Sequence, residues 1–242
     1  MNNNYSNISS VARDPFSSEE DMIGIKKLTY SEQVAEYIKR LILEGELSPG
    51  DQVKEVVLSK TLGISRAPIR EAMQMLSREG LICFEPQKGK YVAALTAKQI
   101  EDSYFTGGVL EAAAVTQAIS LYSDEDLSNL KEVVEGMRQI AETGENEKSL
   151  AELDNAFHNI LFSRINNELL IELCRRSCQG ISKFLLYRYW VNLFTPQEVY
   201  ERHNLIFEAL ESKKSSRLEK AIRKHYIDSG KRMARHGVDR QE

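Results

Sequence analysis

Two groups of residues in this chain have types and spacings that can do chemistry. Arg66, Arg70 and Gln74 recur every four residues, so they share one side of any helix that holds them, while Ile69, Met73 and Leu76 fall on the other. A helix that packs one face and turns two guanidiniums outward suits the major groove of duplex DNA, where arginine donates to a guanine edge or grips a phosphate. Ser65 and the backbone donors at the start of that helix are placed to meet phosphate. Downstream, Gln87-Lys88-Gly89-Lys90 puts charge at a turn where glycine lets backbone approach a groove. Ser65, Arg66, Arg70, Gln74, Lys88, Gly89 and Lys90 are therefore the candidate DNA contacts. On an arbitrary helix two arginines merely solvate a face. Here a glycine-containing tight turn precedes the helix and a basic turn comes after it, which favours DNA.

The second group lies further along. All four histidines, His158, His203, His225 and His236, fall after residue 96. Asp154 and His158 are four residues apart and emerge on one helical face. His203 and His225 flank a connection near residues 211–215, about seven residues before it and about ten after it, so at ~1.5 Å per residue they lie at similar depth in a helical hairpin. One carboxylate and three imidazoles can thus converge. Such a donor set suits Zn, Ni, Fe or Mn without choosing among them. Alone, an Asp-x3-His pair is ordinarily a solvated helix pair. A metal-dependent enzyme is the competing use of these four residues, but no HExxH or similar motif accompanies them and the DNA-type helix would stay unexplained. The chain is therefore not expected to be an enzyme. His236 sits in a basic stretch and reads as solvated.

These residues need elements to position them. Thr29 and Glu32 form a capping box ahead of the stripe Val34, Ile38, Leu41, Ile42, and Gly45 ends that helix. A short helix comes next over residues 54–62, with Val57, Leu58 and Leu62 inward. Gly63 breaks it, Ser65 caps the next over residues 66–78, and Pro68 is tolerated in its first turn. Residues 81–84 and 90–92 read as two strands around a turn at 85–89. Three short helices and a hairpin make a winged helix-turn-helix. Beyond it the chain reads as wholly helical: 96–122, 123 onward with Leu127, Leu130, Val134, Met137 and Ile140 inward, then 147–165, 168–191, 196–211 and 215–235. Short connections between such helices give an antiparallel bundle. The expected fold is mainly α. A tail occupies residues 1–27, a DNA-binding head 28–95 and an all-α bundle 96–236.

Composition agrees. The chain has 242 residues, 42% hydrophobic and 28% charged, so it can bury a core. No apolar run approaches the ~20 residues of a membrane span, and the polar N-terminus has no secretory apolar region, so a cytoplasmic protein is expected. The net charge of −4 is uneven. Residues 24–95 hold 11 Lys+Arg against 9 Asp+Glu, whereas residues 96–242 hold 20 against 23. A slightly basic head on an acidic remainder permits nucleic-acid contact. Cys83, Cys174 and Cys178 form no disulfide framework, and the latter pair reads as small apolar residues rather than a thiol metal site.

Gly63-Ile64-Ser65-Arg66-Ala67-Pro68-Ile69-Arg70-Glu71-Ala72, with Leu76, Glu79-Gly80-Leu81 and Lys88-Gly89, resembles the DNA-binding domain of GntR-family repressors. Asp154-x3-His158 with Asn166 beyond it, His203 and His225 resemble the metal-binding pattern of the FCD ligand domain of the FadR subgroup. The resemblance implies a homodimeric transcriptional regulator, most often a repressor, on a palindromic operator. It implies one divalent transition metal per chain on Asp154, His158, His203 and His225, and a small-molecule effector beside it, an organic acid. Two departures stand out. Some relatives carry an Arg after the Glu of the second helix, where Val56 succeeds Glu55 here. Others carry an Arg for the ligand carboxylate where Gly107 stands, so either the effector is not a standard carboxylate or another base such as Arg188 substitutes. Tyr104, Gly107, Asn166 and Arg188 are the candidate effector residues, with a surface role the alternative for Arg188. Gly107 and Gly108 inside a helix suggest a kink, close packing or pocket space. A purely architectural DNA binder, its bundle serving only to dimerise, is a third reading.

Overall fold

The computed structural model describes residues 28–146 and 149–238, with the backbone alone for 178–181. Residues 1–27, read as a tail, and the Cys178 side chain lie outside that description.

The head begins with α1 (Tyr30–Glu44), whose Thr29–Glu32 capping box forms and whose C-cap Gly45 adopts φ 80°. Helices α2 (Glu55–Leu62) and α3 (Arg66–Arg78) come next. Val34, Ala35, Ile38 and Ile42 of α1 pack against Ile69, Ala72, Met73 and Leu76 of α3, which closes the small core. Val57 corrects an expectation: it is 55% exposed, and α2 buries only Leu58 fully. Leu58 and Leu62 lie one turn apart and make the inward line, leaving Val57 about 100° round the helix and outside it. Ser65 is the N-cap of α3, but its side chain makes no capping bond.

Strands β1 (Ile82–Glu85) and β2 (Gly89–Val92) form the antiparallel hairpin, each one residue displaced from its expected start or end. Ile82 pairs with Val92, and this buried pair anchors the wing to α3. Residues 50–53 add a partial third strand, through Gly50 N–H to Val92 O at 3.0 Å and Val53 N–H to Lys90 O at 2.8 Å. At the tip, Gln87 and Gly89 take φ of 65° and 121°, the left-handed conformation that makes glycine useful there.

The bundle comprises α4 (Ala97–Gln117), α5 (Asp124–Thr143), α6 (Leu150–Phe162), α7 (Glu168–Cys174), α8 (Ile181–Leu185), α9 (Tyr187–Trp190), α10 (Pro196–Glu211) and α11 (Ser215–Met233). Capping boxes at Thr96, Ser123 and Thr195 start α4, α5 and α10. α4 stops at Gln117 and a 3-10 turn (Ile119–Leu121) carries the chain to Tyr122, earlier than the 96–122 helix expected. α5 buries Leu130, Val134, Met137 and Ile140, while Leu127 is only half-buried.

The largest difference from expectation is at 168–191, which is not one helix. A π-helical turn (Arg175–Gly180) succeeds α7, and at Leu186 the backbone (φ −112°, ψ 20°) departs from helical values between α8 and α9. Ser182 to Leu186 are all buried, five successive residues covering every side of the segment. A regular amphipathic helix cannot do this on a surface; α8 is enclosed between bundle and head.

α4 and α11 approach closely for a local reason. A Cβ on Gly108 would lie 2.7 Å from Cβ of Tyr226, and one on Gly230 would lie 2.7 Å from Cβ of Tyr104. Each helix offers a tyrosine and, four residues later, a glycine, and the antiparallel pair interlocks. Gly108 thus serves close packing within an unbroken helix. After α11, a 3-10 turn (Ala234–His236) leads to Val238, whose N–H donates to Leu95 O at 2.9 Å on the segment connecting head and bundle. His236 is exposed but not merely solvated: it stacks on Tyr189 at 4.0 Å. Buried Cys174 behaves as the apolar residue expected, and burial pushes its thiol up to about 12.

Candidate functional site

On the head, α3 turns Arg66, Arg70 and Gln74 to solvent, opposite Ile69, Met73 and Leu76. Ser65 and Lys88 are exposed and Gly89 forms the wing turn with Lys88. Lys90 is half-buried and lies below the tip rather than on it. One carboxylate joins these parts: Glu55 on α2 accepts from Arg70 Nε at 2.9 Å and from Lys90 Nζ at 3.1 Å. The Arg70 hydrogen bond, outweighing partial burial, holds the Glu55 carboxyl below its ordinary range. Spacing along the chain gives no hint of this role for Glu55, because its two partners lie 15 and 35 residues away. The wing turn is itself anchored, with Gln52 Nε2 donating to Lys88 O at 2.9 Å and Tyr91 OH to the same oxygen at 3.1 Å.

In the bundle, α6 supplies Asp154 and His158, α10 His203 and α11 His225. All four are buried, and one potential ligand atom from each lies within 4.8 Å of the others. Second partners set the imidazole tautomers. His158 Nδ1 meets Glu111 Oε1 at 2.9 Å and His203 Nδ1 meets Val199 O at 2.7 Å, so both donate on that side and leave Nε2 as a lone pair. His203 Nε2 then lies 3.2 Å from Asp154 Oδ1, and His158 Nε2 3.9 Å from the same oxygen. Lone pairs facing a carboxylate oxygen form an arrangement that a cation relieves. Neither His203 Nε2 nor His225 Nδ1 has a hydrogen-bond partner, although both are buried. The donor set therefore fits a divalent transition metal by its chemistry and by its orphaned nitrogens.

The charges around the cluster are tuned. Burial alone would raise the Asp154 carboxyl, but the Lys183 ammonium and the neighbouring imidazoles hold it well below the usual carboxylate range. Burial, reinforced by Arg202, pushes His225 well below its ordinary value and keeps it neutral, the form a metal needs. Burial would also lower His158, yet the Glu111 carboxylate raises it on balance. Glu111 itself is fully buried and also accepts from Tyr226 OH at 2.6 Å. Arg202 is half-buried beside the cluster, and this desolvation lowers its guanidinium to about 10.

The cluster floors a cavity of about 500 Å3, walled in part by Tyr104, Lys183, Tyr187, Trp190 and Arg202. Of the expected effector residues, Tyr104 is in that wall. Gly107 is buried in α4 but does not line the cavity. Asn166 is exposed beyond the end of α6, eight residues past His158 and outside the cavity. Arg188 is exposed and turned toward the head, donating to Tyr189 OH at 2.8 Å and lying 3.4 Å from Ser48 Oγ, so it does not substitute for a pocket cation. Sequence reasoning missed the basic residues that do line the cavity, Lys183 and Arg202. Lys183, a lone charge within the apolar stretch 181–186, was the available signal.

The winged head, its outward arginines and the all-helical bundle define a bacterial DNA-binding transcriptional regulator. The chain belongs to the GntR family with an FCD ligand-domain bundle: residues 30–92 match the bacterial regulatory proteins of the gntR family and residues 102–228 match the FCD domain. Its relatives are regulators of transcription, not enzymes. It is 26% identical over 201 residues to the HTH-type transcriptional regulator YdhC of Bacillus subtilis, covering 83% of this chain and 89% of that one. It is 25% identical to the HTH-type transcriptional repressor RspR of Escherichia coli over 195 residues, covering 81% and 85%. A GntR regulator from Rhodococcus sp. RHA1 shares the fold with a TM-score of 0.63 at 24% identity, covering 84% of this chain and 96% of that one. Among the described residues no helix is long and apolar enough to cross a membrane.

Proposed function

We propose that this protein is a metabolite-responsive repressor. Residues 28–95 act as the operator-binding head and residues 96–236 as a bundle that holds one divalent transition metal and an organic acid beside it. The observation that carries this reading is the buried set Asp154, His158, His203 and His225 at the floor of a cavity, with unpartnered imidazole nitrogens turned inward. Asp154 and the three imidazoles would hold the ion, Glu111 and Val199 O fixing two of the rings. A bound ion with open positions supplies Lewis acidity for an incoming carboxylate. Relatives described as repressors, among them the gluconate operon transcriptional repressor of Bacillus licheniformis, support repression.

DNA contact rests on Arg66 and Arg70 to base edges or phosphate, with Ser65, Gln74, Lys88, Gly89 and Lys90 around them. A homodimer would set two α3 helices about 34–36 Å apart on a palindromic operator in the cytoplasm. Coupling of only ~1–3 kcal/mol between effector and head changes operator occupancy about 5–150-fold. Support for such coupling is the α8–α9 segment, which lines the cavity through Lys183, Tyr187 and Trp190 and packs against α1. The test joins elemental analysis of the purified chain with operator footprinting in the presence of candidate organic acids. About one metal per chain and an acid that releases the footprint are expected. Metal-free protein, or an acid that shifts the melting temperature without touching operator affinity, would overturn the reading.

A further inference from the structure

The cavity holds two cations, and their partners differ. The Arg202 guanidinium is held by groups outside the cluster's carboxylate: Nη2 donates to His225 O at 2.6 Å and Ser229 Oγ at 2.7 Å, the guanidinium carbon lies 3.7 Å from the centre of the Phe194 ring, and Asp228 lies 3.8 Å away. The Lys183 ammonium donates to Asp154 Oδ2 at 3.0 Å and Asn155 Oδ1 at 3.2 Å and lies 3.7 Å from the centre of the Trp190 ring. Its carboxylate partner is thus a member of the cluster, with Oδ1 of that same carboxylate facing the imidazoles.

Without a metal, Lys183 stands against Asp154 and Arg202 against Asp228, while Glu111 is met only by the His158 ring, so the neutral-imidazole set carries about one negative charge in excess. With a divalent ion in the cluster, the Asp154 charge is drawn to the ion. Arg202 keeps Asp228, whereas Lys183 is left without a counter-charge. Counting the two cations, the ion and the three carboxylates, the cavity then carries about one positive charge in excess. A largely buried ammonium without a counter-ion is costly, and a single negative charge on a ligand offsets that cost. The surrounding Trp190, Tyr187 and Tyr104 suit a ligand that also presents a flat apolar body.

We propose that Lys183 is the residue that reads the effector, a singly charged organic anion with a planar body, and that it does so from the element on which the DNA-binding head rests. This deepens the metabolite-and-metal reading above and depends on it. The link to the head is geometric. α8 and α9 both pack against α1. Arg188, five residues after Lys183, reaches the C-terminal end of α1, where its Nη1 would lie 2.9 Å from any Cβ placed on Gly45. An ammonium drawn from Asp154 and Trp190 toward a ligand moves the helix against which the head leans.

Trp190 is the single tryptophan of the chain, so its emission reports on this cavity alone. The experiment titrates the zinc-loaded full chain with benzoate, and with neutral benzamide as its isostere, under excitation selective for tryptophan. Saturable change with benzoate and none with benzamide is expected. Lys183→Met weakens benzoate at least about tenfold and Lys183→Arg restores it to within about threefold, at unchanged zinc content. Undiminished benzoate affinity in Lys183→Met at unchanged zinc overturns the assignment. If Lys183→Met does not load zinc, Lys183→Gln, whose amide still donates to Asp154, repeats the comparison. Failure of both to load also overturns it, because Lys183 would then serve only the metal. A wild-type chain that takes up neither zinc nor benzoate brings down the effector reading itself.

Discussion

The head and the bundle use the same local grammar and keep their chemistry in opposite places. In the head, the side chains proposed to meet DNA stand outside a small core, and one carboxylate, Glu55, holds Arg70 and Lys90 in position. In the bundle, the candidate ligands are inside, drawn from three helices, and three of the four are held by a second partner: His158 by Glu111, His203 by Val199 O one turn back on its own helix, Asp154 by Lys183. An exposed site tolerates loss of one partner because water replaces it. A buried site does not, since an abandoned charge stays in low dielectric.

Substitutions should respect that contrast. The largest effect is expected for Asp154→Ala, which strands the Lys183 ammonium. A loss of ~3–5 kcal/mol is expected in thermal or denaturant unfolding, with most of it recovered in Asp154→Ala/Lys183→Met. Next, Arg70→Ala should cost ~1–3 kcal/mol of operator binding by fluorescence anisotropy at fixed salt, with the unfolding midpoint nearly unmoved. If that variant unfolded early, the claim that the head's chemistry lies outside its core would fail. Gly108→Ala belongs to the bundle but not to its charges. The added methyl meets Tyr226 Cβ at 2.7 Å, and about 1–3 kcal/mol, a melting drop of several degrees, is expected. Smallest in stability is Glu55→Gln, under ~1 kcal/mol for a partly exposed network. It releases Arg70 and Lys90, so binding to random-sequence DNA should tighten at low salt and discrimination should fall. The log–log salt slope should steepen by about one. An unchanged slope would mean that Glu55 does not restrain these cations.

The same contrast explains how much the sequence reveals. Arg66, Arg70 and Gln74 share a face because they are four residues apart, and periodicity reads that directly. The interior set is legible as a possibility, since Asp154 and His158 are also one turn apart and His203 and His225 sit at matched depth. The hidden part depends on long-range packing. Glu111 lies 47 residues from His158, and Lys183 lies 29 from Asp154. The continuous helix expected over 168–191 fails because its apolar content suggests one amphipathic face, when burial at 182–186 is all round. Asn166 is an effector candidate by family position and Arg188 only as a stand-in for the arginine missing at Gly107, and their actual surroundings, open solvent and the head, are tertiary facts.

The bond from Val238 to Leu95 gives the bundle one further property. Its entry and exit segments touch, so the module closes on itself at the point where the head is attached. Gly237 sits there so tightly that a Cβ would lie 2.4 Å from Ala97 N. Trimming the chain to residue 236 would therefore remove that bond and loosen the junction between bundle and head. Such preparations should report altered operator affinity even with an intact ligand cavity.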